Sequence, residues 1–329
     1  MAVNIEENNK EKRTSPVLSV VMANFNHGKY IGKAIESIIS QSCKAKEFII
    51  VDDGSKDNSV EIIKHFVEKD ASIHLICNEK NMGVGYSSDI ALKKVSGDYI
   101  FGMSADDYFL PGFFEKSMKM LKKYPEAGFC CSDSKTIKGS CSKTIINRRK
   151  MDNHSRYFSP DELVELMRKR IMYFSGFGTI VKASSFKEIG GLPDLLWSAD
   201  MMYTTIMALR YGMCFVPEVF SVQLLLKESF SEQGVRDWKR HKKVVKNILD
   251  LLKTHQYADV LPKFKQSCAL ANLGIPLIRV LAESTEHWDY LSPNLVKLIL
   301  WQEFRKTLRR YSPAFINKFI DHLRDRFLK

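Results

Sequence analysis

The sequence lacks the features of a membrane-spanning or secreted chain. No apolar run approaches the roughly 18–20 residues that a membrane-spanning helix needs. The first 16 residues are polar and charged, without the apolar core of a signal peptide, which predicts a cytosolic location. The seven cysteines show no CxxC pair and no zinc-like spacing. Their odd number and apolar surroundings predict reduced core thiols rather than disulfides or a metal site.

Glycine-rich phosphate loops are also missing. No GxGxxG follows the first predicted strand, and no GxxxxGK followed by Ser or Thr occurs anywhere. A bound nucleotide would therefore be held in another way, for example by a metal ion that bridges its phosphates.

What the chain does have is 329 residues with 45% hydrophobic content, enough for one large domain or a domain with an appendage. Its net charge of +12 is uneven. Residues 235–329 hold 19 Lys or Arg and 9 Asp or Glu, so this segment carries +10 and the rest only +2. Such asymmetry concerns partners rather than fold, and an anionic membrane surface or nucleic acid would suit it.

The first third of the chain alternates between apolar runs of strand length and segments of helical period. The run at residues 17–23 is typical of a parallel strand covered on both faces. After it, Ile31, Ala34, Ile35 and Ile38 recur with helical spacing. This strand and helix series predicts an α/β fold with a mainly parallel sheet and right-handed crossovers.

Polar residues follow the predicted strands at their carboxyl ends, where open α/β sheets bind ligands. A buried strand at residues 99–103 leads into Asp106 and Asp107. Two adjacent carboxylates must be solvated or paired, and magnesium typically binds one or two carboxylates plus substrate phosphates. Alternatively, Asp106 caps a following helix and Asp107 is a solvated turn residue. The predicted ligand site comprises Asn24, Phe25, Asn26, Asp52, Asp53 and residues 104–107.

Taken together, these segments resemble the family 2 glycosyltransferases, which are inverting nucleotide-sugar enzymes with the GT-A fold. The matching segments occur in the family's order and spacing over about residues 16–130. They are residues 20–26, 37–42, 49–57, 78–83, 97–100 and 104–107, the last followed by Pro111.

The resemblance implies a nucleotide site. Ala23, Phe25 and Asp53 would line the base pocket, with Asp53 hydrogen-bonding uracil or a similar base, while Asp52 could be structural. The full implied nucleotide-binding set is Ala23, Asn24, Phe25, Asn26, Asp52, Asp53, Asn81, Gly83, Ser104, Ala105 and Asp106.

It also implies a metal site. Asp106 and Asp107 would bind the ribose and a Mn²⁺ or Mg²⁺ ion between the diphosphate oxygens, and either carboxylate could be the direct ligand. The family's metal motif usually reads Asp-any-Asp, whereas Ser104 occupies the first position here. This departure lowers the charge at the metal by one.

A catalytic base follows from the same resemblance. In the family, an acidic residue at the start of the helix after a Gly-Gly segment is the base, and Asp200 matches it, with Asp194 as a second candidate. The preceding residue is often Glu but is Ala199 here. Without the resemblance, Asp200 would be interpreted as a helix N-cap. Trp197 could stack on a sugar or belong to the core or a lid, and Lys227 could contact the diphosphate where the family often has His.

The rest of the second half is less regular. Residues 131–158 are polar and basic and predict a loop. Ser159 and Glu162 predict a capping box at a helix start. Residues 174–181 predict a glycine-containing strand, and residues 214–217 predict an edge strand.

From residue 235 onward the sequence predicts helices only. In the segments 295–311 and 313–328, apolar and aromatic residues alternate with Lys and Arg. This pattern suits an interfacial helix on anionic lipid. The alternatives are packing on the core or on a second subunit, whereas no motif supports nucleic-acid binding.

The sequence therefore predicts a GT-A, Rossmann-like α/β fold followed by an all-helical basic region. The predicted parts are a disordered tail (1–15), a nucleotide-sugar half (16–130), an acceptor and catalytic half (131–234) and a basic helical region (235–329). The resemblance implies transfer from a nucleotide-diphosphate sugar, with a UDP-sugar favoured, to a glycan or lipid-linked acceptor of surface polysaccharide or lipopolysaccharide type, on the cytoplasmic membrane face. A catalytically idle sugar-nucleotide-binding protein and a nucleotidyltransferase are the alternatives.

Overall fold

The computed structural model describes residues 15–138, 143–191, 195–225 and 237–311. Its first elements follow the predicted alternation of strands and helices. They are β1 (Leu18–Asn24), α1 (Gly28–Ile39), β2 (Glu47–Asp52), α2 (Ser59–Lys69), β3 (Ile73–Cys77), α3 (Val84–Lys93), β4 (Tyr99–Ser104), β5 (Tyr108–Phe109) and α4 (Phe113–Lys123).

The second half adds strands to the same sheet and then continues as helices. The elements are β6 (Phe129–Lys138), β7 (Lys143–Asn147), β8 (Arg156–Phe158), α5 (Pro160–Lys169), β9 (Thr179–Lys182), α6 (Ala183–Glu188), α7 (Ala199–Tyr211) and β10 (Met213–Leu225). The helices α8 (Trp238–Leu252), α9 (Leu261–Ser267), α10 (Ile275–Glu283) and α11 (Pro293–Tyr311) follow, with short 3₁₀ turns between them.

A ten-stranded sheet forms the centre, in the order β3-β2-β1-β4-β9-β6-β10-β5, with β7 beside β6 and β8 beside β10. The β3-β2-β1-β4 part is parallel, as predicted, and β6 and β10 also pair in parallel. Strand β9 runs antiparallel between β4 and β6. Residues of β1 and β2 such as Val20 and Ile50 are fully buried, because helices cover both faces of this part of the sheet. The α/β class is confirmed.

An aromatic cluster fixes the turn that carries Asp106 and Asp107. Phe101 in β4 contacts Phe109 in β5 edge to face, with 4.7 Å between ring centroids. Both rings also lie 5.2 Å from Phe113 at the start of α4. Edge-to-face and offset contacts of this kind are favourable beyond their burial. The turn is therefore held on both sides by packed rings.

The prediction of a loop at residues 131–158 is wrong. Strand β6 extends to Lys138, β7 pairs with it in antiparallel fashion, and β8 pairs with β10. The polar residues misled the prediction because residues 144–147 of β7 are exposed and most of the outer part of β6 is only partly buried, so these strands need no apolar alternation. Most of the basic residues of this segment lie on strands.

Two strand predictions also change. At residues 174–181, regular pairing begins only at Thr179, because Gly178 takes a φ of +66° and the preceding residues bend. The predicted edge strand at 214–217 is part of β10, which pairs with β6 on one side and with β5 and β8 on the other. Pro217 is tolerated there because the register shifts between Val216 and Val219, where a missing N–H breaks no ladder.

Several smaller predictions are confirmed. Ser159 and Glu162 form the capping box of α5, with the hydroxyl accepting from the Glu162 amide at 3.2 Å. Four of the described cysteines are buried free thiols as expected, whereas Cys43 is half-buried and Cys77 is exposed, so the prediction of core positions is wrong for these two; Cys141 lies outside the described residues. The predicted tail at 1–15, apart from Ser15, and the helix predicted at 313–328 also lie outside them.

The chain forms two compact units. The sheet unit comprises the described residues within Met1–Phe158, Ser175–Gly191 and Tyr211–Ser229. The helical unit comprises those within Ser159–Phe174, Leu192–Arg210 and Phe230–Lys329. Its core contains apolar residues of α8, α10 and α11, including Ile248, Leu277, Leu295, Leu298 and Ile299.

None of the described helices is both long and apolar enough to cross a bilayer.

Candidate active site

Three neighbouring strands of the sheet unit end at the same level. Asn24 of β1 lies opposite Asp52 of β2, and Ala23 lies opposite Ser104 of β4. Because the three strands pair in parallel, their carboxyl ends, and the polar residues there, lie at the same edge of the sheet. The strand-end residues predicted as a ligand site are thus brought to one edge of the sheet.

Asp52 is the buried anchor of this edge, with 1% of its surface exposed. Its Oδ1 accepts hydrogen bonds from the Asn24 amide at 2.7 Å and the Ser55 hydroxyl at 2.6 Å, and its Oδ2 accepts from the Ser55 backbone N–H at 2.9 Å. The Ser55 hydroxyl also accepts from the Asn26 N–H at 2.9 Å. Asp52 therefore holds the turns after β1 and β2 together, which agrees with the structural role suggested for it.

Asp53 holds the loop that follows β3. Its Oδ1 accepts from the Asn78 amide at 2.8 Å and the Met82 N–H at 3.0 Å, and its Oδ2 accepts from the Gly83 N–H at 2.7 Å. Burial disfavours the charged form, but these donors together with Ser87 outweigh it and hold the pKa of Asp53 below its usual value. The carboxylate is ionised at neutral pH.

Gly54 lets this loop come close. Its φ is +74°, and a Cβ placed on it would lie 2.8 Å from the Lys80 carbonyl carbon. Asn81 then closes the turn, because its side-chain oxygen accepts from the Gly83 N–H at 3.0 Å. A glycine at position 54 is therefore required by both conformation and space.

Ala23 and Phe25 lie at the accessible side of the edge. Ala23 is half-buried and Phe25 is 38% exposed. Asn26 takes a φ of +56°, and its side-chain oxygen accepts from the Lys56 N–H at 2.8 Å. The Asp53 N–H donates to the carbonyl of Asn24, the residue before Phe25, at 2.8 Å.

Asp106 and Asp107 differ in their environments. Asp107 is 4% exposed, and its Oδ1 accepts from the Leu224 N–H of β10 at 3.0 Å. Burial, with a further contribution from Asp106, raises the pKa of Asp107 to about 8. Asp106 is half-buried, and Ser104 is exposed beside it.

This carboxylate pair fits a divalent cation. Burial and mutual repulsion disfavour two adjacent negative charges, and a hard cation with oxygen ligands relieves both costs. Among the described residues, one group of three potential ligands lies within 4.8 Å, formed by Asp250, Glu286 and His287 of the helical unit. With Ser104 at the first motif position, the sheet-unit site offers only the two carboxylates.

In the helical unit, Asp200 is the second residue of α7 and is half-buried. Its Oδ1 accepts from the Met201 N–H at 2.7 Å. It therefore lies inside the first turn of the helix and is not the N-cap residue, so that alternative is wrong. A carboxylate at this position is favoured by the partial positive charge of the helix N-terminus.

A cavity of about 430 Å³ lies next to this helix start within the helical unit. The Trp197 indole donates to His241 Nδ1 at 3.3 Å, and the two rings stack with 6.0 Å between centroids. Burial lowers the pKa of His241, which keeps the imidazole neutral and able to accept. The cavity lining includes Tyr173, Trp197, Ser198, His241, Asn272 and Glu303.

The sequence missed several residues that shape these sites. Ser55, Asn78 and the Leu224 amide hold the three buried carboxylates, and His241 holds Trp197. Only Ser55 adjoins a candidate in sequence and could have been inferred from an Asx turn. Asp194 and Lys227 lie outside the described residues.

Comparison with known proteins agrees with this architecture. Residues 19–190, about half of the chain, match the model of glycosyl transferase family 2. An uncharacterised glycosyltransferase of Haemophilus influenzae is 29% identical over 143 residues, which are 42% of this chain and 55% of that protein. One of Methanocaldococcus jannaschii is 42% identical over 109 residues, which are 32% and 38% of the two chains. The chain thus spans about half or less of the length of these relatives.

Solved structures share the fold at low sequence identity. TarS of S. aureus in complex with UDP-GlcNAc is 15% identical, with a TM-score of 0.61 over 88% of this chain and 92% of that one. The mannosyltransferase PcManGT of Pyrobaculum calidifontis, in complex with GDP-Man and Mn²⁺, is 15% identical with a TM-score of 0.56 over 96% and 86%. At such identity the likeness concerns the fold alone. On the strength of the family match over half of its residues, this chain belongs to glycosyl transferase family 2.

Proposed function

We propose that this chain is an inverting glycosyltransferase that takes its sugar from a nucleotide-diphosphate donor, with a UDP-sugar favoured. The observation that carries the proposal is the edge of the sheet unit, where Asp52, Asp53 and Asp107 are buried and held by amide or hydroxyl donors. Family membership and the nucleotide-sugar complexes of TarS and PcManGT support it.

The donor base would lie against Ala23 and Phe25, with Asp53 accepting a hydrogen bond from it. Asp53 already accepts hydrogen bonds from Asn78, Met82 and Gly83, with a further contribution from Ser87, so a donor on the base would replace one of these partners. The loop at Asn81 and Gly83 would form one wall of the base pocket, because Asp53 holds it in place.

The diphosphate would lie near Asp106, the more accessible of the two carboxylates. We assign Asp106 as the direct ligand of Mn²⁺ or Mg²⁺, and Asp107 as the buried partner that the Leu224 N–H orients. A bound cation would stabilise negative charge on the leaving diphosphate. Ser104 adds no charge, so metal affinity should be weaker than in family members with Asp at this position.

Asp200 is the proposed general base. Inverting transfer needs one carboxylate to accept the proton of the acceptor hydroxyl as this oxygen attacks the anomeric carbon. The cavity beside it would bind the acceptor, since Trp197 and Tyr173 offer ring faces and Glu303 offers a hydrogen-bond acceptor. A glycan or lipid-linked acceptor of the surface-polysaccharide class would suit such a lining.

Association with the cytoplasmic membrane face through the C-terminal helices is part of the proposal, in a restricted form. Leu295, Leu298 and Ile299 of α11 are buried in the protein and cannot face lipid. Leu300 and Phe304 of the same helix are exposed, at 57% and 46%, and could do so. Packing thus accounts for much of the apolar stripe that suggested lipid contact.

Two measurements test this proposal. Thermal-shift titration with UDP, GDP, CDP and dTDP, each with and without Mn²⁺, should raise the melting temperature with one nucleotide, because a ligand of the native state stabilises it. Absence of a shift with all four would reject the donor site.

The Asp200→Asn variant should bind the nucleotide normally and lose transfer by about 100-fold or more, the usual contribution of general-base catalysis. Unchanged turnover would exclude Asp200 as the base. If the wild type binds the nucleotide but transfers no sugar, the protein is the idle binding protein that Ser104 and Ala199 would permit.

A further inference from the structure

The β6–β7 hairpin has an unusual charge composition. Residues 134–151 contain Lys135, Lys138, Lys143, Arg148, Arg149 and Lys150 and no Asp or Glu. We call the described residues 134–138 and 143–150 the basic hairpin. The predicted membrane contact concerned the C-terminal helices, whereas this cluster belongs to the sheet unit.

The hairpin is an exposed edge of the sheet. Within the described residues, β7 pairs with β6 alone, from Ser134 opposite Asn147 to Lys138 opposite Lys143. Ile145 is 37% exposed and Ile146 is 54% exposed. Because successive residues of a strand point to opposite faces, β7 presents one isoleucine on each face.

Edge protection explains only half of this pattern. Lysines on an edge strand discourage pairing with other chains, and proteins use them for that purpose. Exposed isoleucines on the same strand have the opposite effect, because they make an edge more prone to association. The combination of adjacent apolar side chains with a basic surround is instead typical of segments that enter the interface of an anionic bilayer.

The hairpin lies next to the proposed donor site. Ile137 of β6 is the register partner of Leu224 in β10, and the Leu224 N–H donates to Asp107 at 3.0 Å. Neighbouring strands are about 4.8 Å apart, so the hairpin begins one strand away from the amide that holds this carboxylate. A surface that binds the hairpin is thereby brought close to the carboxylate edge.

Hydrogen bonds of Arg149 fix the segment that follows β7. The Arg149 N–H donates to Asp133 Oδ1 at 2.8 Å, and the Arg149 Nε donates to the Ser132 carbonyl at 3.1 Å. Arg149 therefore stabilises the fold. Among the described side chains of the basic hairpin, the exposed cations are Lys138, Arg148 and Lys150. A fixed strand pair with charges at both ends is suited to present the free edge of β7, with one isoleucine on each side of it, to an anionic surface.

We propose that the basic hairpin docks on an anionic phospholipid bilayer, with Ile145 and Ile146 entering the interface and the surrounding Lys and Arg side chains contacting the headgroup phosphates. A soluble polyanion would also attract the cations but would gain nothing from the isoleucines. The exposed isoleucines therefore favour lipid. This docking does not depend on the proposed activity, since it involves neither donor nor acceptor.

The test is co-sedimentation of the full-length protein with vesicles of phosphatidylcholine alone or mixed with phosphatidylglycerol, at low and high salt. We expect binding only to the mixed vesicles and weakening with salt, because screening acts over about 8 Å at physiological ionic strength. The double variant Ile145→Ser/Ile146→Ser should bind them about tenfold more weakly, as expected for lost apolar insertion.

Charge variants distinguish binding through the cations of the basic hairpin from binding through the overall positive charge of the protein. Lys138→Gln/Arg148→Gln should weaken binding about 25-fold, at roughly 1 kcal/mol per cation, equal to about fivefold each. The control Lys64→Gln/Lys69→Gln removes two exposed cations from α2 and should bind like the wild type. A melting temperature and a circular-dichroism spectrum that match the wild type would show that each variant is folded.

Three outcomes would overturn the proposal. The first is no binding of the wild type to mixed vesicles at low salt. The second is equal binding by the isoleucine variant, which would indicate a purely electrostatic contact such as one with a soluble polyanion. The third is loss of binding in Leu300→Ser/Phe304→Ser with no loss in the hairpin variants, which would assign the contact to α11.

Discussion

The buried strand-end carboxylates of the sheet unit and two surface carboxylates of the helical unit have different hydrogen-bond partners. In the sheet unit, Asp52, Asp53 and Asp107 are at most 4% exposed and accept hydrogen bonds from amide and hydroxyl groups. In the helical unit, Asp259 and Asp289 lie near the surface and pair with Arg or Lys side chains.

The two groups of carboxylates differ in whether a neighbouring cation neutralises their negative charge. An amide or hydroxyl orients a carboxylate without cancelling its charge, whereas a guanidinium or ammonium cancels it. Arg210 lowers the pKa of Asp259 through direct hydrogen bonds. In the sheet unit, amide and hydroxyl donors instead hold the pKa of Asp53 below its usual value, and burial raises the pKa of Asp107 to about 8. Carboxylates of the first kind can serve a ligand, and those of the second kind stabilise the fold.

Removing Asp106 should have the largest effect of any single change in the sheet unit. The Asp106→Ala variant is expected to lose at least about 100-fold in transfer rate, because the leaving diphosphate loses its metal-borne charge stabilisation. It should also lose any Mn²⁺-dependent thermal shift with UDP. The matched control is Asp289→Ala, which removes a carboxylate of the helical unit and should leave the shift intact. A wild-type shift in Asp106→Ala would locate the metal elsewhere, with Asp250, Glu286 and His287 as the next candidates.

Asp53→Asn should weaken nucleotide binding by an intermediate amount. An Asn side chain has one acceptor oxygen and an NH₂ group, so the amide would oppose the N–H of Met82 or Gly83. The Gly83 N–H would keep its hydrogen bond to Asn81 Oδ1, whereas an unsatisfied Met82 N–H would cost about 1–3 kcal/mol, which predicts roughly tenfold or more weaker UDP binding through a loosened loop. Isothermal titration calorimetry would measure the dissociation constant for UDP in both proteins. Binding unchanged from the wild type would show that the loop does not contribute to the base pocket.

The buried proton of Asp107 predicts a pH dependence. The pKa of Asp107 in the folded protein is about 8, above the ordinary value of 3.8. The protonated Asp107 carboxyl therefore stabilises the folded state at low pH, and this stabilisation is lost as pH rises through 8. The melting temperature of Asp107→Asn relative to the wild type, without metal, should therefore rise between pH 5 and pH 9. Since a cation competes with the proton, Mn²⁺ should bind the wild type more tightly as pH rises over the same window. A flat difference between the two proteins would indicate that Asp107 is ionised throughout.

The parts that the sequence predicted correctly are those where local pattern and tertiary role coincide. Residues 17–23 and 48–51 are apolar because parallel strands are covered on both faces, so their strands and the polar residues after them could be predicted. The capping box at Ser159 and Glu162 is likewise a local signal. Asp106 and Asp107 could be placed at a strand end for the same reason.

The errors occur where distant parts of the chain decide the structure. The β6–β7 hairpin has too few buried positions to show a strand pattern, and it forms because β6 is already held by β9 and β10. Pro217 suggested an edge strand, yet a register shift accommodates it inside β10. The hydrogen bond from Leu224 to Asp107 joins residues 117 apart and has no local signature. The hydrogen-bond partners of buried polar groups are therefore the hardest feature to predict from a single sequence.

The smallest effect is expected for the surface pair of the helical unit. Arg210 donates from Nε to Asp259 Oδ2 at 2.7 Å and from Nη2 to Asp259 Oδ1, and Nη2 also donates to the Gln256 carbonyl at 2.9 Å. Solvent screens this pair because the Asp259 side chain is 56% exposed. Asp259→Asn should therefore lower the free energy of unfolding by less than about 1 kcal/mol and leave UDP binding unchanged, which denaturant titration and calorimetry would measure. If Asp259→Asn instead weakened UDP binding as much as Asp53→Asn, the distinction between ligand-serving and fold-stabilising carboxylates would fail.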